Sequence, residues 1–233
     1  MKTFLQFSGG KDSIACLYLL RERWNDLTVV WANTGAAFPE TLEYMETVRV
    51  LVPHFLEVRT QQSIAERGYP ADLLPTAGTW LGRVLKPGGR FKFQSRWDCC
   101  AHAISLPLHA KMKELGAEVL IRGTKSADAF HTPITPGMHY DGITFEFPLW
   151  EWTDSQVLAF ITENALPLPE HYAGMNTGLD CWNCSAWLDE SAGKLAYMRE
   201  RHPAKFEHLR AVLTELRDLT TTEASALDRA LET

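Results

Sequence analysis

The chain has 233 residues, of which 45% are apolar and 22% charged, and its formal net charge is −6. These values are typical of a globular protein with a sizeable core, and the acidic balance argues against a broad electrostatic grip on nucleic acid. No run of 18 apolar residues and no signal-peptide pattern is present. We therefore expect a cytoplasmic protein that makes no contact with a membrane.

Strands and helices are predicted to alternate along the chain. The apolar patterns predict strands over 2–7, 27–31, 55–59, 119–121 and 143–147, and helices over 12–24, 39–51, 99–115, 154–164, 188–201 and 203–231. Residues 132–142 are predicted to form a loop. This order predicts an α/β fold with a doubly wound, mostly parallel sheet, helices on both faces and a helical C-terminal region.

A glycine-rich turn follows the first predicted strand. The six residues Ser8-Gly9-Gly10-Lys11-Asp12-Ser13 lead directly into the first predicted helix. Paired glycines let the backbone approach an anion, and the helix N-terminus adds unpaired N–H groups. Lys11 would add a charge, Ser8 and Ser13 would add hydroxyls, and Asp12 could hold Mg²⁺. The spacing differs from Walker A, and an ordinary strand–helix turn is the alternative.

Three blocks of sequence resemble known motifs. The turn resembles the SGGxDS signature of the PP-loop ATP pyrophosphatases, which cleave ATP between its α- and β-phosphates. Asn33-Thr34-Gly35 with Phe38-Pro39-Glu40-Thr41, and Pro148-Leu149-Trp150-Glu151-Trp152-Thr153, resemble motifs of the phosphoadenosine phosphosulfate (PAPS) reductase family. The resemblance implies that 1–187 form a nucleotide-binding domain and 188–233 a helical extension.

The segment 68–96 interrupts the alternation of strands and helices. It is rich in proline and glycine and interleaves aromatic residues with cations. Such composition suits either a substrate loop for a phosphorylated or nucleic-acid partner, or a solvated insertion. We predict an irregular insertion.

The sequence has five cysteines, four of them in two pairs. Cys16 stands alone on the first predicted helix and is predicted to be a core residue. Cys99 and Cys100 are adjacent, whereas Cys181 and Cys184 form a C-x-x-C pattern. Adjacent side chains diverge, which suits an iron–sulfur cluster better than zinc. Zinc and unligated thiols remain the alternatives.

The four paired cysteines also resemble the [4Fe–4S] ligand pattern of the assimilatory adenosine phosphosulfate (APS) reductases. The resemblance implies that Cys99, Cys100, Cys181 and Cys184 are cluster ligands. The Arg-Lys dipeptide that follows the adjacent cysteines in those enzymes is absent, and Ala103-Ile104 stands in that vicinity. We expect His102, His109, His131 and His139 to be surface or packing residues rather than metal ligands.

Two departures from the reductases favour ATP as the nucleotide. No cysteine follows Cys184 to act as the reductases' nucleophile, and Lys11 with Asp12 gives the full ATP-type loop. The resemblance then implies ATP cleavage by Lys11, Asp12 and Ser13, coupled to sulfur transfer. The expected cofactors are ATP, Mg²⁺ and a [4Fe–4S] cluster. The residues expected to bind the nucleotide are Ser8, Gly9, Gly10, Asn33, Thr34, Gly35, Arg122, Gly123 and Lys125.

Several alternatives stay open at this point. Arg122 and Lys125 could instead be a solvated pair at a strand end. The chain could be a sulfonucleotide reductase that borrows a partner's thiol, or a non-catalytic nucleotide-binding subunit of a DNA-modification or defence complex. The partners considered are an adenine nucleotide, a sulfur-donor protein, a nucleic-acid substrate and a second copy of the chain.

Overall fold

The strands and helices were taken from a computed structural model. It describes residues 2–85, 91–131, 134–173, 175, 177–179, 181–190 and 193–232. The strands are β1 (Thr3–Gln6), β2 (Leu27–Asn33), β3 (Phe55–Arg59), β4 (Tyr69–Ala71), β5 (Phe93–Ser95), β6 (Val119–Arg122), β7 (His139–Tyr140) and β8 (Ile143–Glu146). The helices are α1 (Lys11–Leu19), α2 (Pro39–Leu51), α3 (Ile64–Arg67), α4 (Trp80–Leu85), α5 (Arg96–Cys100), α6 (Leu106–Glu114), α7 (Asp154–Glu163), α8 (Lys194–Arg201) and α9 (Pro203–Leu231).

Six strands form one sheet in the order β3-β2-β1-β6-β8-β7. All neighbours pair in parallel except β7, which is antiparallel to β8. The chain therefore builds outward from β1 in one direction through β2 and β3, then crosses to the other side of β1 with β6. This order confirms the predicted mostly parallel sheet. Ligands of such sheets bind beyond the strand carboxyl ends where the order reverses, here between β1 and β6.

The chain divides into two compact units that interleave along the sequence. The first contains 1–33, 37–59 and 107–179, and the second contains 34–36, 60–106 and 180–233. The core of the first unit is formed by buried side chains of the sheet and its helices, including Leu5, Phe7, Ile14, Cys16, Leu17, Val29, Ile121, Leu149 and Val157. Cys16 is fully buried there, as its position on α1 predicts.

The structure of the second unit differs from the irregular insertion predicted for 68–96. This segment is not irregular throughout, because β4 and β5 pair in parallel and α4 lies between them. Ala71 and Phe93, one from each strand, share a small core with Val212 and Leu216 of α9. These elements have three to six residues, too few for a periodic pattern to be recognised. Residues 86–90 lie outside the described residues.

Several predicted boundaries also differ from the structure. The first helix ends at Leu19, and a 3₁₀ turn over Arg21–Arg23 follows. The helix predicted over 99–115 begins at Arg96 and contains a π-helical stretch, Ala101–Ser105. Strand β7 lies within the predicted loop 132–142, of which 132–133 are outside the described residues. The helix predicted over 188–201 begins only at Lys194.

Within the described part of the chain, none of the helices combines the length and the apolar character needed to cross a bilayer.

The close approach of β6 to α1 requires a glycine at residue 123. A Cβ at Gly123 would lie 2.7 Å from the carbonyl oxygen of Asp12. We expect Gly123→Ala to lower the free energy of unfolding by ~1–3 kcal/mol, because backbone atoms must shift to make room. Urea denaturation followed by circular dichroism would measure the change.

Gly178→Ala is the matched control for this prediction. Its added Cβ would make only ordinary contacts, 3.5 Å from the Tyr172 hydroxyl and 3.7 Å from the Gly10 Cα. We expect a change within ~0.5 kcal/mol for the control. Equal losses in the two variants would contradict the steric argument.

Candidate functional site

The loop between β1 and α1 is held in shape by Ser13. Its Oγ accepts hydrogen bonds from the backbone N–H of Gly9 (3.1 Å) and of Ser8 (3.4 Å), and donates to the Gly10 carbonyl (2.8 Å). Gly9 has a φ of +83°, which a residue with a side chain rarely adopts. Ser13 is buried. It therefore positions the loop, and its hydroxyl is engaged within the loop itself.

The N-terminus of α1 faces the hydroxyl of a tyrosine. Gly10 is the N-cap residue and has no side chain to bond the free N–H groups of the helix. The Tyr172 hydroxyl accepts a hydrogen bond from the Lys11 backbone N–H at 2.8 Å. Tyr172 thus occupies one donor of the helix end that the sequence predicts to bind phosphate.

Two lysines and three aspartates meet beside this loop. Lys11 Nζ lies 2.6 Å from Asp154 Oδ1 and 3.2 Å from Asp12 Oδ2. Lys125 Nζ lies 2.8 Å from Asp12 Oδ1, 2.7 Å from Asp128 Oδ2 and 3.5 Å from Asp154 Oδ1. Asp12 bridges the two ammonium groups. We call these five residues the lysine–aspartate cluster.

Lys125 is buried, unlike an ordinary surface lysine. The Lys125 side chain is only 2% exposed, so the solvated alternative is wrong for it. Burial alone would lower the pKa of Lys125, but hydrogen bonds and charges from Asp12 and Asp128 raise it above its usual value. The hydrogen bond from Lys11 lowers the pKa of Asp154. Lys125 therefore remains charged, with the carboxylates of Asp12 and Asp128 as its counter-ions.

Arg122 is the last residue of β6, and Gly123 follows it, two residues before Lys125. Arg122 is half-buried, its guanidinium lies 5.9 Å from the centre of the Phe147 ring, and burial lowers its pKa. Arg122 is thus only partly shielded from solvent, and its role stays a prediction. The Ser126 N–H donates to the Trp150 carbonyl at 2.8 Å, which ties this loop to the segment after β8.

Sequence reasoning missed three residues of this site: Asp128, Asp154 and Tyr172. Asp154 is placed by a capping box at α7, in which the Gln156 N–H donates to Thr153 Oγ1 and the Thr153 N–H donates to Gln156 Oε1. The cap was predictable from the sequence. The contact of Asp154 with Lys11, which lies 143 residues earlier in the chain, was not predictable.

The structure divides the predicted motif at residues 33–35. Asn33 Nδ2 donates to Glu57 Oε1 at 2.8 Å, across the neighbouring ends of β2 and β3. This bond is the largest cause of the lowered pKa of Glu57. Thr34 and Gly35 belong to the second unit. There the Thr34 hydroxyl lies 3.3 Å from the Cys181 sulfur, and the Trp182 N–H donates to the Ala36 carbonyl.

All four paired cysteines belong to the second unit. Cys99 and Cys184 are buried, whereas Cys100 and Cys181 are partly exposed. Burial, and after it the charges of Cys100, Cys184 and Cys181, raise the pKa of Cys99 to about 12. Each of the other three thiols is therefore close enough to Cys99 to oppose its ionisation.

The predicted ligand set remains a prediction. Among the described residues, no group of three or more His, Cys, Asp or Glu side chains is arranged to hold a metal ion. The donor types, though not their arrangement, suit a metal, because the four thiols belong to one unit and the Thr34 hydroxyl contacts the sulfur of Cys181. Such hydrogen bonds to sulfur are typical of iron–sulfur sites.

Three of the four histidines noted in the sequence have assigned contacts. His102 Nδ1 lies 2.8 Å from the Asp98 carbonyl, His109 Nε2 lies 3.0 Å from Asp141 Oδ2, and His139 Nδ1 lies 3.2 Å from Thr144 Oγ1. The His131 side chain is outside the described residues.

Comparison with known proteins identifies the family. Residues 2–187 match the family described as phosphoadenosine phosphosulfate reductase domain. The chain belongs to this family, as the sequence motifs predicted. It also resembles a crystal structure of phosphoadenylyl-sulfate (PAPS) reductase from Candida auris in a phosphate complex, with a TM-score of 0.53 and 19% identity, covering 78% of this chain and 82% of that one. At this identity the likeness establishes the fold.

Two curated relatives are similar over most of the chain. The uncharacterized protein MJ0066 of Methanocaldococcus jannaschii is 24% identical over 217 residues, which is 90% of this chain and 41% of that protein. The adenosine 5'-phosphosulfate reductase of Neisseria meningitidis is 24% identical over 160 residues, 66% of this chain and 59% of the reductase. The matched regions thus span only part of each relative.

The ion pair between Lys11 and Asp154 predicts a pH-dependent contribution to stability. Asp154→Asn should lower the free energy of unfolding at pH 7 by ~0.5–1 kcal/mol, a small effect because the Asp154 side chain is 65% exposed. The folded pKa of Asp154 is depressed. The stabilisation is therefore present above the unfolded value of ~3.9 and is lost as the pH falls through the lower folded value.

Urea unfolding at pH 7 and below pH 4 would measure this difference between the wild type and Asp154→Asn. Asp26→Asn, at an exposed position before β2, is the control and should match the wild type at both pH values. A difference that stays constant as the pH falls would show that the aspartate charge is not responsible.

Proposed function

We propose that the chain binds ATP with Mg²⁺ and cleaves it between the α- and β-phosphates, which activates an acceptor for sulfur transfer. The lysine–aspartate cluster beside the β1–α1 loop carries this proposal. It lies at the ends of β1 and β6, where the strand order reverses. Parallel sheets of this kind bind nucleotides at that point.

The charges of the cluster suit a nucleotide that arrives with a metal ion. Lys11 and Lys125 supply two ammonium groups for phosphate oxygens, whereas Asp12, Asp128 and Asp154 supply carboxylates. Carboxylates repel bare phosphates but are the ligands that Mg²⁺ uses in nucleotide sites. A Mg²⁺–triphosphate would therefore satisfy both halves of the cluster.

The proposed reaction would use these charges. An acceptor oxygen attacks the α-phosphorus, the bond between that phosphorus and the bridging oxygen to the β-phosphate breaks, and pyrophosphate leaves. Lys11 would stabilise the charge that develops on the leaving group, an effect worth several kcal/mol in a water-poor site. A sulfur nucleophile such as hydrosulfide or a persulfide would then displace AMP from the activated acceptor.

The four-cysteine centre is the second part of the proposal. Cys99, Cys100, Cys181 and Cys184 would hold a [4Fe–4S] cluster, which would provide a site for sulfur binding or electron transfer. The supporting observations are the effect of the other three thiols on the pKa of Cys99 and the contact of the Thr34 hydroxyl with the Cys181 sulfur.

ATP binding and cleavage test the first part. We expect anaerobically purified protein to bind MgATP and release pyrophosphate from it, and Lys11→Ala to reduce the release ~100-fold by removing a donor to the leaving group. Calorimetry would measure binding, and a pyrophosphate assay would measure cleavage with small-molecule and nucleic-acid acceptors.

The control for this experiment is Lys113→Ala, which removes an exposed ammonium that pairs with Asp141 on the surface. It should leave binding and cleavage within ~2-fold of the wild type. A wild-type protein that neither binds MgATP nor releases pyrophosphate would contradict the proposal.

Sulfonucleotide reduction is the second candidate. It is favoured by the family itself and by the similarity to an APS reductase. Formation of sulfite from APS or PAPS with reduced thioredoxin, in protein that does not cleave ATP, would establish it in place of the first.

Metal analysis tests the four-cysteine centre. Cys99→Ala and Cys181→Ala should each remove most of the iron and the visible absorption of anaerobically purified protein, because each deletes one of four ligands. Cys16→Ala is the control, since Cys16 is buried in the core of the first unit. Iron that persists in both ligand variants would contradict the assignment.

A further inference from the structure

A tyrosine from the segment after α7 lies against the β1–α1 loop. Tyr172 belongs to a 3₁₀ turn over Glu170–Ala173. Its hydroxyl oxygen accepts a hydrogen bond from the Lys11 N–H at 2.8 Å. A Cβ added at Gly10 would lie 3.7 Å from the same oxygen. The hydroxyl is therefore in contact with the N-terminus of α1, within the first unit.

The Lys11 N–H differs from its neighbours in the loop by the origin of its partner. The N–H groups of Ser8 and Gly9 donate to Ser13 Oγ, so these bonds form within the loop and give it its shape. The partner of the Lys11 N–H, Tyr172, comes from 161 residues later in the chain. The Tyr172 hydroxyl can therefore be exchanged for another acceptor while the loop keeps its own hydrogen bonds.

The Tyr172 hydroxyl occupies a position that suits a phosphate oxygen. The first N–H groups of a helix point at bound phosphates, and N–H groups lie about 2.7–2.9 Å from charged oxygen acceptors. A phosphate oxygen that used the Lys11 N–H would coincide with the phenol oxygen, so the two exclude each other. Because a hydrogen bond to a charged oxygen is roughly twice as strong as a neutral one, a phosphate would replace the phenol.

The turn that carries Tyr172 is anchored on both sides of this residue. His171 and Met175 are buried, and the Met175 N–H donates to the His171 carbonyl at 3.0 Å. Tyr172 itself is half-buried, with its ring 4.4 Å from that of His171, and Ala173 is exposed. The Tyr172 side chain can therefore rotate away from the loop while the backbone on either side stays in place.

We propose that Tyr172 is a gate on the nucleotide site: its hydroxyl holds the place of a phosphate oxygen at the N-terminus of α1 and leaves when the phosphates of MgATP bind. Tyr172 is thus a regulatory contact and takes no part in the chemistry. The inference rests on the proposed binding of a nucleotide at this loop and is independent of whether the nucleotide is cleaved.

Removal of the hydroxyl tests the gate. Tyr172→Phe keeps a ring beside His171 and deletes the oxygen that accepts from the Lys11 N–H. A site that is open for only part of the time has an apparent affinity reduced by the open fraction. We therefore expect the variant to bind MgATP, and inorganic pyrophosphate with Mg²⁺, about three- to tenfold more tightly than the wild type. Titration calorimetry on the full-length protein would measure both affinities.

Tyr44→Phe is the matched control. Tyr44 lies in the same unit, and its hydroxyl donates to the Pro167 carbonyl at 3.1 Å instead of accepting from the loop. Both affinities of this variant should stay within about twofold of the wild type. Unchanged binding by Tyr172→Phe would overturn the inference, as would an equal gain in the two variants. Weaker binding would also overturn it, because the hydroxyl would then be a ligand of the phosphate.

Fluorine NMR gives a second readout that does not depend on the folding of Tyr172→Phe. A 3-fluorotyrosine placed at position 172 alone gives a single resonance that reports the surroundings of this ring. Saturation with MgATP should move the resonance to the shift of a solvent-exposed fluorotyrosine, because the ring leaves the loop. A resonance that stays unchanged at saturation would overturn the gate.

Three further outcomes separate the gate from the proposed function. Measurable MgATP binding by Tyr172→Phe, with none by the wild type, would support the gate strongly. If neither protein binds MgATP or pyrophosphate, nucleotide binding itself fails, and the gate fails with it. If the wild type binds and cleaves MgATP but Tyr172→Phe binds no more tightly, the gate is overturned and the proposed function stands.

Discussion

The buried ammonium of Lys125 is the constraint on which the lysine–aspartate cluster depends. A buried cation requires anionic partners. The partners of Lys125 are Asp12, at the start of α1, and Asp128, three residues after Lys125 in the sequence. The ion pair to Asp12 joins the end of β6 to the beginning of α1. Removing one partner of such a buried pair typically costs ~3–5 kcal/mol. The ion pair that joins the end of β6 to the start of α1 therefore also fixes the positions of the charges that would meet a nucleotide in the proposed site.

The loop between β1 and α1 is held in shape by side-chain oxygens. Ser13 Oγ accepts from N–H groups of the loop, Gly9 supplies the left-handed turn, and Gly10 leaves the end of α1 without a side-chain cap of its own. The Tyr172 hydroxyl accepts from the Lys11 N–H at that helix end.

The second unit holds its cysteine turn with a buried lysine. The Lys194 ammonium donates to the carbonyl oxygens of Cys181 and Cys184. Arg96 in the same unit lies 3.9 Å from the centre of the Trp187 ring and 3.1 Å from Asp72. These two cations are thus matched to carbonyl oxygens, an aromatic face and a carboxylate.

The local sequence determined the elements that short-range chemistry controls. The glycine turn, the helix starting at Pro39, the capped helix after Thr153 and the mostly parallel sheet follow from residue spacing, turn residues and strand–helix alternation. Only the tertiary structure decided that Asp154 meets Lys11, that Lys125 is buried and that Lys194 reaches the cysteine turn. These contacts join residues far apart in the chain or depend on burial, and neither is encoded in a local pattern. The strands β4 and β5 were missed for the related reason that three residues carry too little periodicity.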